Sequence, residues 1–232
     1  MLWIGQFGIA DGEAQEHTPW VGAFPDASHN DELSDLYLIV EPALPGSEEF
    51  CEELKQAVGE LFHEEKLSLT GGILRALRSA HENLREWNRK SIKEHRVAAG
   101  VSALAIRPSP REDVETHEAY LAQVAPAAAV LVHEGTVLRL QPRLPDSLEP
   151  LGLYDEFRPD FTRLELASGD RLLLLSPALA SLLDDEAVQE HLSLPGEDAL
   201  PAVYRRARSL SNCGALLVAV SAEERPALRA HA

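Results

Sequence analysis

Basic residues are scarce in this sequence: 21 Lys and Arg stand against 38 Asp and Glu, a formal net charge of -17. A surface that acidic repels nucleic-acid phosphates and anionic lipid, so neither nucleic acid nor a membrane is expected as a partner. Cysteine is nearly absent. Cys51 and Cys213 are far apart and form no CxxC pair, which argues against a disulfide framework or a cysteine zinc site and fits a reducing cytoplasm. Long apolar runs are missing as well. Stretches such as Ala125–Val132 fall far short of the roughly 20 residues a membrane-spanning helix needs, and MLWIGQFGIADGEAQEH lacks the features of a signal peptide.

Common active-site motifs are also missing. There is no GxxxxGK[ST] loop, no GxGxxG after a strand and no GxSxG elbow. His63-Glu64 and His81-Glu82 each begin an HExxH motif, but no second histidine follows. No internal repeat and no Pro/Gly/Ser-rich linker divides the chain, so residues 1–222 are expected to form a single domain. Residues 223–232 make a short charged tail, expected to be disordered.

What is present is an ordinary globular pattern, 45% hydrophobic and 25% charged over 232 residues. Leu2–Ile9, Trp20–Phe24 and Leu36–Val40 predict strands, with a polar loop at Pro25–Asp35. Two helices follow. Gly46-Ser47 offers a cap to the first, in which Phe50, Leu54, Val58, Leu61 and Phe62 share a face. The second begins near Ser68 or Thr70 and aligns Leu69, Ile73, Leu77, Ala80, Leu84 and Trp87. Then come strands at Val97–Ile106 and Glu118–Val124, and a hairpin of Ala128–Val132 with Thr136–Leu140. A second hairpin is expected from Phe161–Leu166 and Arg171–Leu175 about Ser168-Gly169-Asp170. Short helices at Ala178–Leu183 and Asp185–His191, a longer one at Glu197–Ser211 and a last strand at Ala215–Val220 complete the chain. The succession predicts an α+β fold of two mostly antiparallel sheets flanked by helices.

Several strings stand in an order that matters. The strand LYLIV ends in Glu41-Pro42. Ala99-Gly100-Val101-Ser102 opens a strand after the second helix. Val124-Ala125-Pro126-Ala127-Ala128 precedes a strand–Gly–strand unit, and Leu151-Gly152 stands isolated. LASGDRLLLLSPAL runs from Leu166 to Leu179, and Asn212-Cys213-Gly214 precedes the last strand. From about Ile4 to Val220 this series resembles the PPM family of metal-dependent protein phosphatases, the protein phosphatase 2C type.

The resemblance implies a four-layer α-β-β-α sandwich, with two Mn²⁺ or Mg²⁺ ions in a cleft at one end of an active enzyme. It also implies that the metal ligands are degenerate. Glu41-Pro42 replaces the family's first Asp-Gly and keeps a carboxylate on a longer side chain. Pro177-Ala178 replaces a second Asp-Gly, and neutral Asn212 stands at the last ligand. His17–Phe24 carries no carboxylate where the family has Asn-Glu-Asp. Hard cations need several anionic oxygens together, and about one of four remains.

The expectation is therefore a pseudophosphatase: no catalytic residues, no cofactor, and a protein partner bound by a regulatory or interaction module. The alternative is an active Mn- or Mg-dependent serine/threonine protein phosphatase with a displaced metal set, using Glu41 with Asp26, Asp31 or Asp35. An unrelated α+β domain is a third reading. Structural roles also stand beside the functional ones: Glu41 as a strand-end residue facing an emptied cleft, and Asn212 as the cap of a turn before the last strand.

Overall fold

A computed structural model describes residues 1–15, 17–25, 34–64, 68–109 and 116–221. The positions Asp26 and Asp31 and the tail at 223–232 lie outside the described residues.

Two sheets form the centre, and every pairing in them is antiparallel. The first contains β1 (Leu2–Ala10), β2 (Glu13–Gln15), β7 (Ala128–His133), β8 (Thr136–Leu140), β10 (Arg171–Leu175) and β11 (Cys213–Val220), in the order β2-β1-β11-β10-β7-β8. The second contains β3 (Val21–Phe24), β4 (Asp35–Pro42), β5 (Ala99–Pro108), β6 (His117–Val124) and β9 (Asp160–Leu166), in that order. Helices α1 (Glu48–Glu64) and α2 (Leu69–Lys90) cover the five-stranded sheet. Helices α3 (Pro177–Ala180), α4 (Asp185–Leu192) and α5 (Gly196–Ala207) cover the six-stranded one. This is the α-β-β-α sandwich that the sequence predicts. Among the described residues no helix is long and apolar enough to cross a membrane.

Alternation along the strands builds the layers. Leu172, Leu174, Leu216 and Val218 face the other sheet, whereas Leu173, Leu175, Ala215 and Leu217 face α3–α5. The sheets approach closely at Gly214, where an added Cβ would lie 2.6 Å from Val21 and 3.7 Å from Ile39.

Three local expectations need correction. Residues 161–166 and 171–175 do not form a hairpin: β9 pairs with β6, and β10 pairs with β7 and β11 in the other sheet. The short turn between them is a crossover, with Gly169 at φ +99°. RLLLL is buried on both faces and needs strand neighbours on both sides, whereas half-exposed β9 suits a sheet edge. Asp170, 3% exposed, fixes this crossover. Its Oδ2 accepts from Ala167 N–H at 2.8 Å, and its Oδ1 lies 2.8 Å from His133 Nδ1.

Helix α5 ends at Ala207 rather than Ser211, and Ser211 and Asn212 instead accept hydrogen bonds from the turn after β1. Ser47, read as a cap for α1, accepts through its hydroxyl from Ala98 N–H at 2.9 Å. Ser68 does cap α2, accepting from Gly71 N–H at 3.2 Å.

Candidate functional site

Strand order gathers the candidate positions at one end of the sandwich. Pro42 pairs with Ala99, and Val101 pairs with Val124. The chain then crosses through Ala125-Pro126-Ala127 to Ala128, which pairs with Leu175, and Leu175 pairs with Ala215. Glu41, Pro177 and Asn212 therefore lie at the same end, although 171 residues of sequence separate the first from the last. Asp35 does not join them. It begins β4, six residues from Glu41 and so about 20 Å away along an extended strand, where its carboxylate accepts from the Tyr37 hydroxyl at 3.0 Å. A displaced metal set of Glu41 with Asp35 is ruled out by that separation.

Glu41 shares its face of β4 with Tyr37 and Ile39, the face that looks across to the six-stranded sheet. Its Oε1 is enclosed and has no hydrogen-bond partner. Burial lifts its pKa to about 8, which favours the neutral form while no cation is bound beside it. The same enclosure, reinforced by Glu41, pushes the Cys213 thiol up to about 11. The Cys51 thiol rises to about 12 through burial, then Glu41 and Glu48. Neither cysteine supplies a thiolate nucleophile at neutral pH.

The other two positions offer less. Pro177 opens α3 at a position where a missing N–H costs nothing, and it brings no side-chain oxygen. Asn212 Oδ1 accepts from Asp11 N–H at 3.0 Å, so its oxygen is committed to the turn after β1, not to the turn before β11.

Ser176 was not singled out by sequence reasoning, yet it is fully buried and its Oγ has no partner. It follows Leu172 and Leu174 on the face toward the other sheet. The alternation of LLLLS carries that signal. Beside these groups a Cβ on Gly100 would lie 2.0 Å from the Pro126 carbonyl oxygen, so the floor of this end is closed by backbone. Lys55, 5% exposed, donates to the Thr18 carbonyl at 2.7 Å and pairs with Glu52. It thus places a cation beside the segment where the resemblance expects an acidic motif.

The half-motif histidine His81 is structural. Its Nδ1 accepts from Gly152 N–H at 3.2 Å, its ring stacks on Phe157, and burial lowers its pKa.

The three mapped positions do not by themselves fit a pair of hard divalent cations. Such ions require several anionic oxygens in one shell. The three positions supply one carboxyl, one proline and one amide oxygen already engaged. Among the described residues no three His, Cys, Asp or Glu side chains group to hold a metal ion.

No family model matches the sequence, and no curated protein matches it. Solved structures do match. The serine/threonine phosphatase Stp1 of Staphylococcus aureus has a TM-score of 0.73 at 13% identity, covering 95% of each chain. The serine/threonine phosphatase of S. agalactiae has a TM-score of 0.72 at 14% identity, covering 95% of this chain and 100% of its own. The catalytic domain of the serine/threonine protein phosphatase PstP, solved with two manganese ions, has a TM-score of 0.65 at 16% identity and covers 95% and 98%. The architecture, the crossovers and these likenesses agree: this chain has the fold of the PPM-type serine/threonine phosphatases.

Proposed function

We propose that this chain is a pseudophosphatase, a PPM-fold module that works by binding a protein partner and does not hydrolyse phosphoesters through bound metal. One observation carries the reading. Of the positions where the resemblance places the metal ligands, only Glu41 carries a carboxyl; Pro177 brings no side-chain oxygen, and the Asn212 amide oxygen already accepts from Asp11 N–H. Two divalent ions held there by a single carboxylate would keep most of their charge uncompensated, which costs far more than one amide or hydroxyl oxygen returns. A cytoplasmic setting belongs to the same reading.

The test is p-nitrophenyl phosphate hydrolysis with and without Mn²⁺, run beside manganese calorimetry and melting curves. The expected result is no metal-dependent turnover, no manganese heat and an unchanged melting temperature in millimolar Mn²⁺, because a metal bound to the native state raises stability. Manganese-dependent turnover that disappears in Glu41→Ala overturns the proposal in favour of an active phosphatase with an altered site.

A further inference from the structure

Helices α1 and α2 leave a groove on the outer face of the sandwich. Ala57 and Ala80 are small where the helices face each other, so the helices touch without filling the space above them. Phe50 and Trp87 stand beside it with ring centroids 5.0 Å apart, and Leu54 and Leu84 line the base. The cavity volume is about 170 Å³, and apolar cavities of roughly 150 Å³ hold a benzene-sized group. Trp87 is 50% exposed, although it continues the apolar stripe of α2. A large aromatic left open beside an apolar groove is the common signature of a binding surface.

The charge around the groove selects the occupant. Glu53 lines it, and Glu49 and Glu60 lie one and two turns away on the same stripe of α1. The exposed charged side chains of α1 among the described residues are Glu49, Glu52, Glu53 and Glu60, with His63 the one basic group. In the last turn of α2, Arg89 and Lys90 pair with Glu86. A second copy related by two-fold symmetry would set this acidic stripe against itself, which disfavours self-association.

We propose that the α1–α2 groove docks a basic amphipathic helix of a partner protein, with one large apolar residue of that helix seated beside Phe50 and Trp87. Its Lys or Arg residues then face Glu49, Glu53 and Glu60, in the helix-in-groove mode. The proposal rests on the reading of this chain as a protein-binding module and names the surface that does the binding.

The test titrates a Lys/Leu peptide of about 15 residues, with leucines at i, i+3, i+4 and i+7, into the full chain by calorimetry. A Glu/Leu peptide of the same pattern is the control. The Lys/Leu peptide is expected to bind and the Glu/Leu peptide to fail. Trp87→Ala and Glu53→Lys should each weaken binding about ten-fold. Glu190→Lys, an exposed charge reversal on α4 over the opposite sheet, should leave binding unchanged.

Absent binding of the Lys/Leu peptide, unchanged binding by both groove variants, or equal weakening by Glu190→Lys overturns the proposal. So does a dimer in sedimentation that Trp87→Ala dissociates, since a second copy then covers the groove. Glu53→Lys changes a solvent-facing side chain and keeps the result decisive if Trp87→Ala loses stability. Failure of the groove is separable from failure of the functional reading. Missing peptide binding without manganese-dependent turnover removes only this surface, whereas turnover removes the pseudophosphatase whatever the peptide does.

Discussion

The side-chain oxygen of Asn212 accepts a hydrogen bond of 3.0 Å from the backbone N–H of Asp11, joining residues 201 apart in sequence. It braces the turn between β1 and β2, where Asp11 and Gly12 have φ of 54° and 81°. Next to it Gly12 N–H donates to the Ser211 carbonyl at 2.8 Å. At the last ligand position of the resembled family, the side chain therefore does structural service.

Asn212→Ala should consequently cost stability and nothing else. Loss of one exposed hydrogen bond is worth at most about 1 kcal/mol, readable as a lower urea midpoint at unchanged slope. Asn212→Asp keeps an acceptor for Asp11 N–H and should stay near the parent.

Glu41 gives the fold a pH dependence with a definite sign. Its folded pKa of about 8 lies above its ordinary value of 4.5, so the folded state binds the proton more tightly than the unfolded chain does. The contribution is fully present below pH 4.5 and is lost as the pH rises through 8. Glu41→Gln, which cannot ionise, should raise the melting temperature at pH 8 by several degrees and change it little near pH 5. The underlying free energy is on the order of 2–4 kcal/mol at pH 8. Equal effects at both pH values would count against a buried, uncompensated carboxyl.

Restoring ligands tests the same end of the sandwich from the other direction. Pro177→Asp with Ala178→Gly and Asn212→Asp places two new carboxylates where the family resemblance expects them. Millimolar Mn²⁺ should then raise the melting temperature of the variant and leave that of the parent unmoved. Saturation at a hundred times the dissociation constant stabilises by about 2.7 kcal/mol. A variant that stays folded yet insensitive to manganese would show that the mapped positions are not a latent metal shell.

Asp170→Ala should destabilise by about 2–3 kcal/mol, because the buried carboxylate serves both Ala167 N–H and His133. Asp170→Asn should recover part of that loss in chemical denaturation, since an amide retains one acceptor.

Gly100→Ala forces a Cβ to within 2.0 Å of the Pro126 carbonyl oxygen. Rigid backbone cannot yield as a side-chain tip does, so a cost of about 3 kcal/mol and a melting temperature lower by roughly 6–12 °C are expected. Gly135→Ala has open space around its Cβ but sits at φ +73°. Its smaller loss separates backbone strain from collision.

Element type was legible in the sequence wherever burial is one-sided or complete over many residues. LYLIV and RLLLL announce central strands, and α2 shows its helical stripe along with the cap Ser68. The β1–β2 hairpin escaped that reading although Asp-Gly is a strong turn signal. Glu13-Ala14-Gln15 is exposed throughout and offers no apolar pattern to reveal a strand. The supposed β9–β10 hairpin failed for a related reason. A short turn brings two strands near each other, but only the distribution of buried faces between two sheets decides whether they pair.

The sequence by itself determined the α+β class, the order of its elements and the identity of each residue at the degenerate positions. A proline at 177 carries no ligating oxygen in any conformation. Tertiary structure decided what the remaining groups do. It enclosed Glu41 Oε1 without a hydrogen-bond partner and committed the Asn212 oxygen to Asp11. It also buried Ser176 beside them, moved Asp35 to the far end of β4, and left Trp87 open beside an acidic helix face. Each outcome depends on which distant strands and helices come into register. Local propensity extends over a few residues and contains no record of a contact made 201 residues away.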